Sequence, residues 1–591
     1  MTLTKDTLYN RIYSEYKGVY MKHYIYLAMM IFTLTLFSGC SGDTAGQVTD
    51  NESHPTLDDN GSSDNSLDDY NFSFENASLH DDTFETNHFS GSQNCASCHD
   101  GLKDTVNSNK DVSIVDAWQS SMMANAAIDP LWRAKVASEV KRNPDYKEVI
   151  EKKCSRCHTP MATVEAGFDG ATVSLFGEGF FNPDNAYYDA AINGVSCTLC
   201  HQIEDDVTLG TKEGFSAKFI IADNSGTERK TYGQYSSVKT GPMVNNIGFT
   251  PVYSSHMNDS KLCATCHNLD TPVIATNGTL SGSTFAEQAV YTEWEYSEFN
   301  TTKSCQDCHM PTAEGSVVIS TRGNVGAKSP FHQHQFLGAN SYMLNIIKNN
   351  RELLGAVADE SQFERAILNT KSFLQASADV NITTATFSNN TLDFSVLVRN
   401  HSGHKFPTSL PSRRAWLHVL VTNTQGTVVF ESGAFNAEGQ IIGVDDHGVG
   451  YEPHHTTIDS NLAVQVYEPV MADTDGVQTY TFMNAASYLK DNRLLPRGFK
   501  STAPASAQVY GAALQDNDFV GGSDTVAYHV SNLANERYTI RATLRYQTLS
   551  YGFAQDLYKD RDLIEVALIK ALDNNTTLHH EEISTTEYIL P

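Results

Sequence analysis

The chain is 591 residues long, with 41 lysines and arginines against 70 aspartates and glutamates, a formal net charge of −29. That length holds two or three domains. The charge argues against nucleic acid as a partner and favours basic redox proteins or metal cations, although acidity is also a common means of staying soluble.

Residues 1–40 read as a leader with an internal start at Met21. Lys22 is followed by an apolar run from Tyr24 to Phe37 and then by Ser38-Gly39-Cys40. A basic start, an apolar stretch and small residues before a cleavage point make a secretory signal. The run, about 14 residues, is short of the roughly 20 that span a bilayer. Ser38-Gly39-Cys40 resembles a bacterial lipobox, although Phe37 departs from the usual aliphatic residue. The resemblance implies lipidation of Cys40, attachment to a membrane through that lipid and, with Ser41 rather than Asp next, the outer membrane. Residues 41–90 contain no Lys or Arg and are rich in Ser, Asn, Asp and Gly. Such a segment buries too little to offset its ordering entropy and is expected to be a flexible acidic tether.

Residues 91–345 contain Cys-x-x-Cys-His five times, as Cys95/Cys98/His99, Cys154/Cys157/His158, Cys197/Cys200/His201, Cys263/Cys266/His267 and Cys305/Cys308/His309. Ten of the eleven cysteines are thereby used. This is the attachment motif of c-type haem. The two thiols bond to the haem vinyl groups, and the following His is held beneath the iron as its proximal ligand. Zinc ribbons give no reason for a His after every Cys-x-x-Cys, and disulfides would not repeat one spacing five times. Five covalently bound haems c are expected. The motif histidines are 59, 43, 66 and 42 residues apart, too close for an apolar core around each, so the haems are expected to stack and serve as the core. Asp129-Pro130 is a helix start, with Leu131, Val136, Val140 and Ile150 leading towards Cys154.

Tyr342, Met343, Ile346, Ile347, Leu353 and Leu354, then Phe363, Ile367 and Leu374, recur at helical spacing and predict two helices, with 346–377 as a connector. From about 378 the period becomes two. Leu392, Phe394, Val396 and Val398 alternate with less apolar residues, as do Tyr538, Ile540, Ala542, Leu544 and Tyr546. Trp416–Val421 is a continuous apolar run followed by a turn and Thr427–Phe430. The expected fold class is multidomain α+β: a mostly α/loop pentahaem cytochrome c domain at 91–345, followed by an all-β sandwich domain at 378–591. The stretch Asp516–Asp524 reads as a polar turn, with calcium binding as the functional alternative.

What occupies the sixth position of each iron separates an electron carrier from a catalytic site. Candidate distal ligands are His256 and His334, then His88 and His332. Met123, ahead of its neighbour Met122, is a thioether candidate. Trp118-Gln-Ser-Ser121-Met122-Met123 echoes Trp294-Glu-Tyr-Ser297-Glu298-Phe299, and Phe299 has no ligating atom.

Three features resemble the multihaem cytochrome c family with a cytochrome c-552/4-like domain, a family related in haem packing to hydroxylamine oxidoreductase and pentahaem nitrite reductase. They are Gly194-Val-Ser-Cys197, Trp294-x-x-Ser297 leading to Ser304-Cys305-Gln-Asp-Cys308-His309-Met310-Pro311, and His334-Gln-Phe336-Leu-Gly338-Ala-Asn340. The likeness spans about 93–345. In relatives a ligand His often follows Trp-x-x-Ser, where this chain has Met123 and Phe299. Asn400-His401-Ser-Gly403-His404-Lys405-Phe406-Pro407-Thr408, with Arg413-Arg414-Ala-Trp416, looks like the carboxy-terminal part of some exported multihaem cytochromes. A loop of that kind implies His404 as a ligand reaching the haem domain. Pentahaem nitrite reductases usually carry one Cys-x-x-Cys-Lys motif, and all five here end in His. The expected role is exported electron transfer to or from another redox protein or a terminal acceptor. The alternatives are a multihaem oxidoreductase acting on a small nitrogen or sulfur compound of the nitrite, hydroxylamine or tetrathionate type, and a docking module built on the sandwich.

Overall fold

The Cys-x-x-Cys-His motifs are helical. They end the helices Ser92–His99, Lys147–His158, Ser260–His267 and Cys305–His309, and in the third His201 directly follows Cys197–Cys200. The computed structural model describes residues 80–590 other than 108, 109, 448 and 449. Cys40, the leader and most of the expected tether lie outside the described residues. Among those described, no helix is long and apolar enough to cross a membrane.

The helix Pro130–Arg142 starts as expected, with the Asp129 side chain accepting from the amides of Leu131 and Trp132 and proline at its first position. The next helix carries the second motif. Later come Ser341–Asn349, capped by Asn340, and Glu360–Gln375, closed at its start by a reciprocal capping box between Asp359 and Gln362.

Two sheets follow. Their strands are β1 (Ala378–Ser388), β2 (Thr391–Asn400), β3 (Arg414–Asn423), β4 (Val428–Ser432), β5 (Thr457–Ile458), β6 (Val466–Tyr467), β7 (Ser523–Val530), β8 (Tyr538–Gln547) and β9 (Glu581–Ile589). One sheet has the order β5-β7-β2-β1, and the other β4-β3-β8-β9 with β6 on β3. The hairpin β1–β2 turns through Asn389 and Asn390, both at positive φ (52° and 59°), as a two-residue turn matched to strand twist requires. Leu392, Phe394, Val396 and Val398 are all buried and share one core with Leu417, Val419, Val421, Ile540, Ala542 and Leu544 of the other sheet. Val396 faces Val526 across β2–β7, and beside it Phe394 and Tyr528 lie ring on ring, 4.9 Å apart. Strand β3 is apolar from Trp416 to Val421 except at His418, because most of both its faces is buried. Leu417, Val419 and Val421 enter the shared core, while Trp416 packs with Ile441, Val464 and Val466.

The expectation that 378–591 is all β is corrected by two helices, Tyr551–Leu557 and Ile564–Asn574. Phe553 and Leu557, then Val566, Ile569 and Leu572, lie three or four residues apart. That stripe is buried with Leu131, Tyr342, Met343, Ile346, Ile347 and Phe363. The carboxy-terminal helices thus complete the core of the amino-terminal region, and 346–377 is part of that core as well as a connection. Arg142 bridges the two segments through Asp556 (2.6 Å) and Asp560 (2.7 Å). Phe553 is 1% exposed; Phe553→Ala is expected to cost about 3–5 kcal/mol, read as a lower denaturation midpoint of the haem-loaded protein.

Candidate functional site

On a helix, residues at i, i+3 and i+4 share a face. Cys-x-x-Cys-His therefore points two thiols and an imidazole the same way. The local ends are prepared for it: Asp259 accepts from the Lys261 amide at the start of the fourth motif's helix, and Ser304 forms a capping box with Asp307 in the fifth. All ten motif cysteines and all five motif histidines line one continuous cavity of about 1070 Å³. Ordinary small-molecule pockets span roughly 300–1,000 Å³. Thiols from different motifs touch, Cys95 with Cys197, Cys157 with Cys266 and Cys263 with Cys305. The first motif thus adjoins the third, and the fourth adjoins both the second and the fifth.

Four of the five motif rings are oriented by the backbone. Nδ1 donates to the carbonyl of Ile319 from His99 (2.7 Å), of Ala126 from His158 (3.0 Å), of Tyr232 from His201 (2.6 Å) and of Leu337 from His309. That bond selects the tautomer and leaves Nε2 as the ligating nitrogen. Burial, with the nearby His404 in the case of His309, pushes His158 and His309 down to about 4, so both rings are neutral. His158 also stacks on Trp132, 4.2 Å between centroids.

The candidate distal residues divide by geometry. His334 faces the His201 ring with 6.3 Å between centroids and 18° between planes, and His404 faces His309 at 6.1 Å and 22°. Two metal–nitrogen bonds of about 2 Å plus the half-width of each ring fill such a gap. His332, His334 and His404 line the cavity and repeat the proximal pattern, each with Nδ1 on a backbone carbonyl (Met310, 3.1 Å; His332, 3.2 Å; Lys405, 2.9 Å). Burial and the neighbouring His201 push His334 down to about 3. Met122 and Met123 also line the cavity. His88 and His256 stand elsewhere. His88 places Nδ1 on Glu165 (2.6 Å) and Nε2 on Asp223 (3.1 Å), and His256 bonds Ser254 Oγ (2.7 Å) and the Ile203 carbonyl (2.9 Å). With both nitrogens engaged, neither ring lines the cavity.

The internal echo has a physical role. The Trp118 indole donates to the carbonyl of Val195, and that of Trp294 to the carbonyl of Lys303, both 2.9 Å. Each anchor lies two residues before a motif cysteine, Cys197 or Cys305. Gly403 rests on the second of these tryptophans. A Cβ there would lie 3.2 Å from Trp294 Cδ1 and 3.6 Å from Phe299 Cβ, so the 400–408 loop seats on the Trp294–Phe299 element.

A buried charge network that sequence reasoning missed holds this loop. Lys405 Nζ meets Asp491 (2.7 Å), and Arg493 meets both Asp491 (2.7 Å) and Glu293 (3.1 Å). Glu293 also accepts from the Lys405 amide (3.1 Å) and the Thr408 hydroxyl (2.6 Å). Glu293 precedes Trp294, so the network joins the strand-bearing region to the fifth motif's approach. Asn400 shapes the loop from within, donating to the His404 carbonyl (2.8 Å) and accepting from the Ser402 amide (2.8 Å). Nothing in the sequence links 293, 405, 491 and 493; only burial marks them.

Residues 94–202 match the family model described as cytochrome c554 and c-prime. No curated protein matches the chain. Among solved structures, a penta-heme cytochrome c552 from Thermochromatium tepidum aligns at 15% identity over 85% of this chain and 99% of that one, with a TM-score of 0.47. The matched segment contains the first three motifs complete, the pattern that attaches haem c.

Arg493 and Lys405 hold the Asp491 carboxyl down at about 2, below the roughly 3.9 of an unfolded aspartate. The stability this provides is fully present above about pH 4 and is lost as pH falls towards 2. Asp491→Asn is expected to destabilise by about 3–5 kcal/mol by leaving buried cations unpaired and to flatten this acid limb in a pH series of denaturation midpoints.

Proposed function

We propose that the protein is an exported electron-transfer protein holding five haems c, one on each Cys-x-x-Cys-His motif. The observation that carries this reading is the single cavity lined by all ten thiols and all five motif imidazoles. Haem iron, when bound, supplies one-electron chemistry. The chain's own residues do the rest. The thiols would hold the cofactors, backbone carbonyls leave Nε2 of His99, His158, His201 and His309 free to meet the metal, and burial favours the neutral rings. His201 with His334, and His309 with His404, are assigned as axial pairs. His332 offers a third distal Nε2, and Met123 a thioether. The two sheets, read as a sandwich, hold the His404 loop against the haem region. Other cytochromes or redox proteins are the partners that this chemistry suits. The signal pattern at 21–40 and Cys40 support a lipid-anchored outer-membrane protein facing the periplasm or the cell surface.

A second reading rests on His267. As at His99 and His158, no second imidazole is found stacked opposite it among the described residues, but only here does Arg413, whose Nε has no hydrogen-bond partner, act on the ring in the same cavity. An iron left open beside a guanidinium suits a small anionic nitrogen or sulfur compound.

Low-temperature EPR of the oxidised protein, with haem counted as pyridine haemochrome, separates these readings. Five haems per chain and low-spin signals indifferent to nitrite and hydroxylamine are expected. His404→Ala should convert one haem to high spin and leave the others unchanged. A wild-type high-spin signal that moves on adding either compound would favour the oxidoreductase, and a count below five would remove the pentahaem assignment.

A further inference from the structure

Outside the haem-motif cavity, the loop ahead of β7 gathers three carboxylates, one of which has a buried oxygen that no hydrogen bond accounts for. Asp524, at the start of β7, is 0% exposed. Its Oδ2 accepts from the Tyr467 hydroxyl (2.7 Å) and from Gln465 Nε2 (3.1 Å), whereas its Oδ1 is buried without any partner. A buried, unpaired carboxylate oxygen is costly. Asp516 presents a carboxylate oxygen to the same place: oxygens of Asp516 and Asp524 and a ring nitrogen of His454 lie within 4.8 Å of one another. Asp518, two residues on and exposed, acts electrostatically on Asp516 from outside that cluster. Among the described residues, no lysine or arginine lies within salt-bridge distance of the three. Lys490, the nearest in character, is committed to the Glu452 carbonyl (2.7 Å) and to Glu468 (3.1 Å).

His454 decides which kind of ion the group suits. Its Nδ1 receives two amide donors, Gln465 Nε2 (2.9 Å) and Asn492 Nδ2 (3.0 Å). Neither amide is free to flip, because the Gln465 oxygen accepts from the His455 amide (2.9 Å) and the Asn492 oxygen from the Glu468 amide (3.0 Å). Nδ1 is therefore an acceptor, the proton sits on Nε2, and Nε2–H donates to Asp516 Oδ2 (2.9 Å). The imidazole has no lone pair left for a metal. It orients a carboxylate instead, as residues behind a metal's ligands do.

We propose that Asp516, Asp518 and Asp524 form a binding site for a hard, oxygen-preferring divalent cation, calcium above all, with His454 as a positioning residue rather than a ligand. Carboxylates alone, carried on a turn, suit calcium's flexible coordination better than magnesium's octahedron and exclude a zinc site built on imidazole. The site sits at the root of the His404 loop. The Gly522 carbonyl, two residues from Asp524, accepts from the amide of Asn400 (2.9 Å), the residue that holds the His404 carbonyl.

The test uses the haem-loaded protein dialysed against EGTA and titrated calorimetrically with calcium chloride, and in parallel with magnesium and zinc chlorides. One calcium per chain is expected, with a dissociation constant in the roughly 10⁻⁷–10⁻³ M range of such sites and a rise in Tm on binding. Asp524→Asn should weaken binding about tenfold or more, because affinity follows the ligand charge. Asp518→Asn, an exposed position that leaves the core untouched, should do the same if the first variant fails to fold. Absence of calcium binding, binding unchanged in Asp518→Asn, or preference for zinc would each overturn the assignment.

Discussion

The structure depends on one constraint, the aiming of five short helices into a common space. A motif of two thiols and an imidazole works only if all three side chains leave the helix on one face, and five such faces meet only if the rest of the chain holds the helices at the cavity wall. That arrangement explains why the amino-terminal region is largely loop between short helices. Residues lining the cavity run from Asn94 to Phe553, so segments distant in sequence, including the 401–413 loop, contribute to it. The apolar cores lie around the cavity rather than at the centre of the region, and the largest belongs to the two sheets.

Imidazole pairing places a second demand on the fold. His334 comes from the loop just after the fifth motif and turns back to the third. His404 comes from the strand-bearing region, whose sheets carry no attachment motif. A loop residue aimed at a metal needs a rigid mount. Here the mount is a buried network of Lys405, Asp491, Arg493 and Glu293, with Gly403 pressed against Trp294. Buried charge is a poor source of net stability but a strong source of register, because any misplacement leaves an ion unpaired. It suits a task in which one ring must stand about 6 Å from another.

The two ends of the chain are fastened by the same logic. Arg142 grips Asp556 and Asp560, and the helix Ile564–Asn574 packs on Pro130–Arg142. The haem-bearing region and the carboxy-terminal helices therefore share a core, and the chain does not divide at residue 378 into independent halves. The helical stripe at 553–572 was readable in the sequence from its spacing of three and four. It was overshadowed by the alternation at 392–398 and 538–546, which made the whole tail read as strands.

What the residues alone determined is what is local. Attachment motifs were legible because the chemistry fits within five consecutive positions, and strands β2 and β8 because their periodicity repeats over two or three residues. The start of the helix at Pro130 and the change of pattern near 378 were legible for the same reason. The distal imidazoles were legible only as a pool of candidates. His88, His256, His332, His334 and His404 look alike in one dimension, and His404 was one of the weaker choices. Tertiary structure distinguishes them by where their nitrogens go. His88 and His256 have both nitrogens engaged by nearby side-chain and backbone groups, while His334 and His404 each place Nδ1 on a carbonyl and face a motif imidazole. The charge network behind His404 and the carboxylates at 516–524 were decided in the same way, by burial, which no single stretch of sequence encodes.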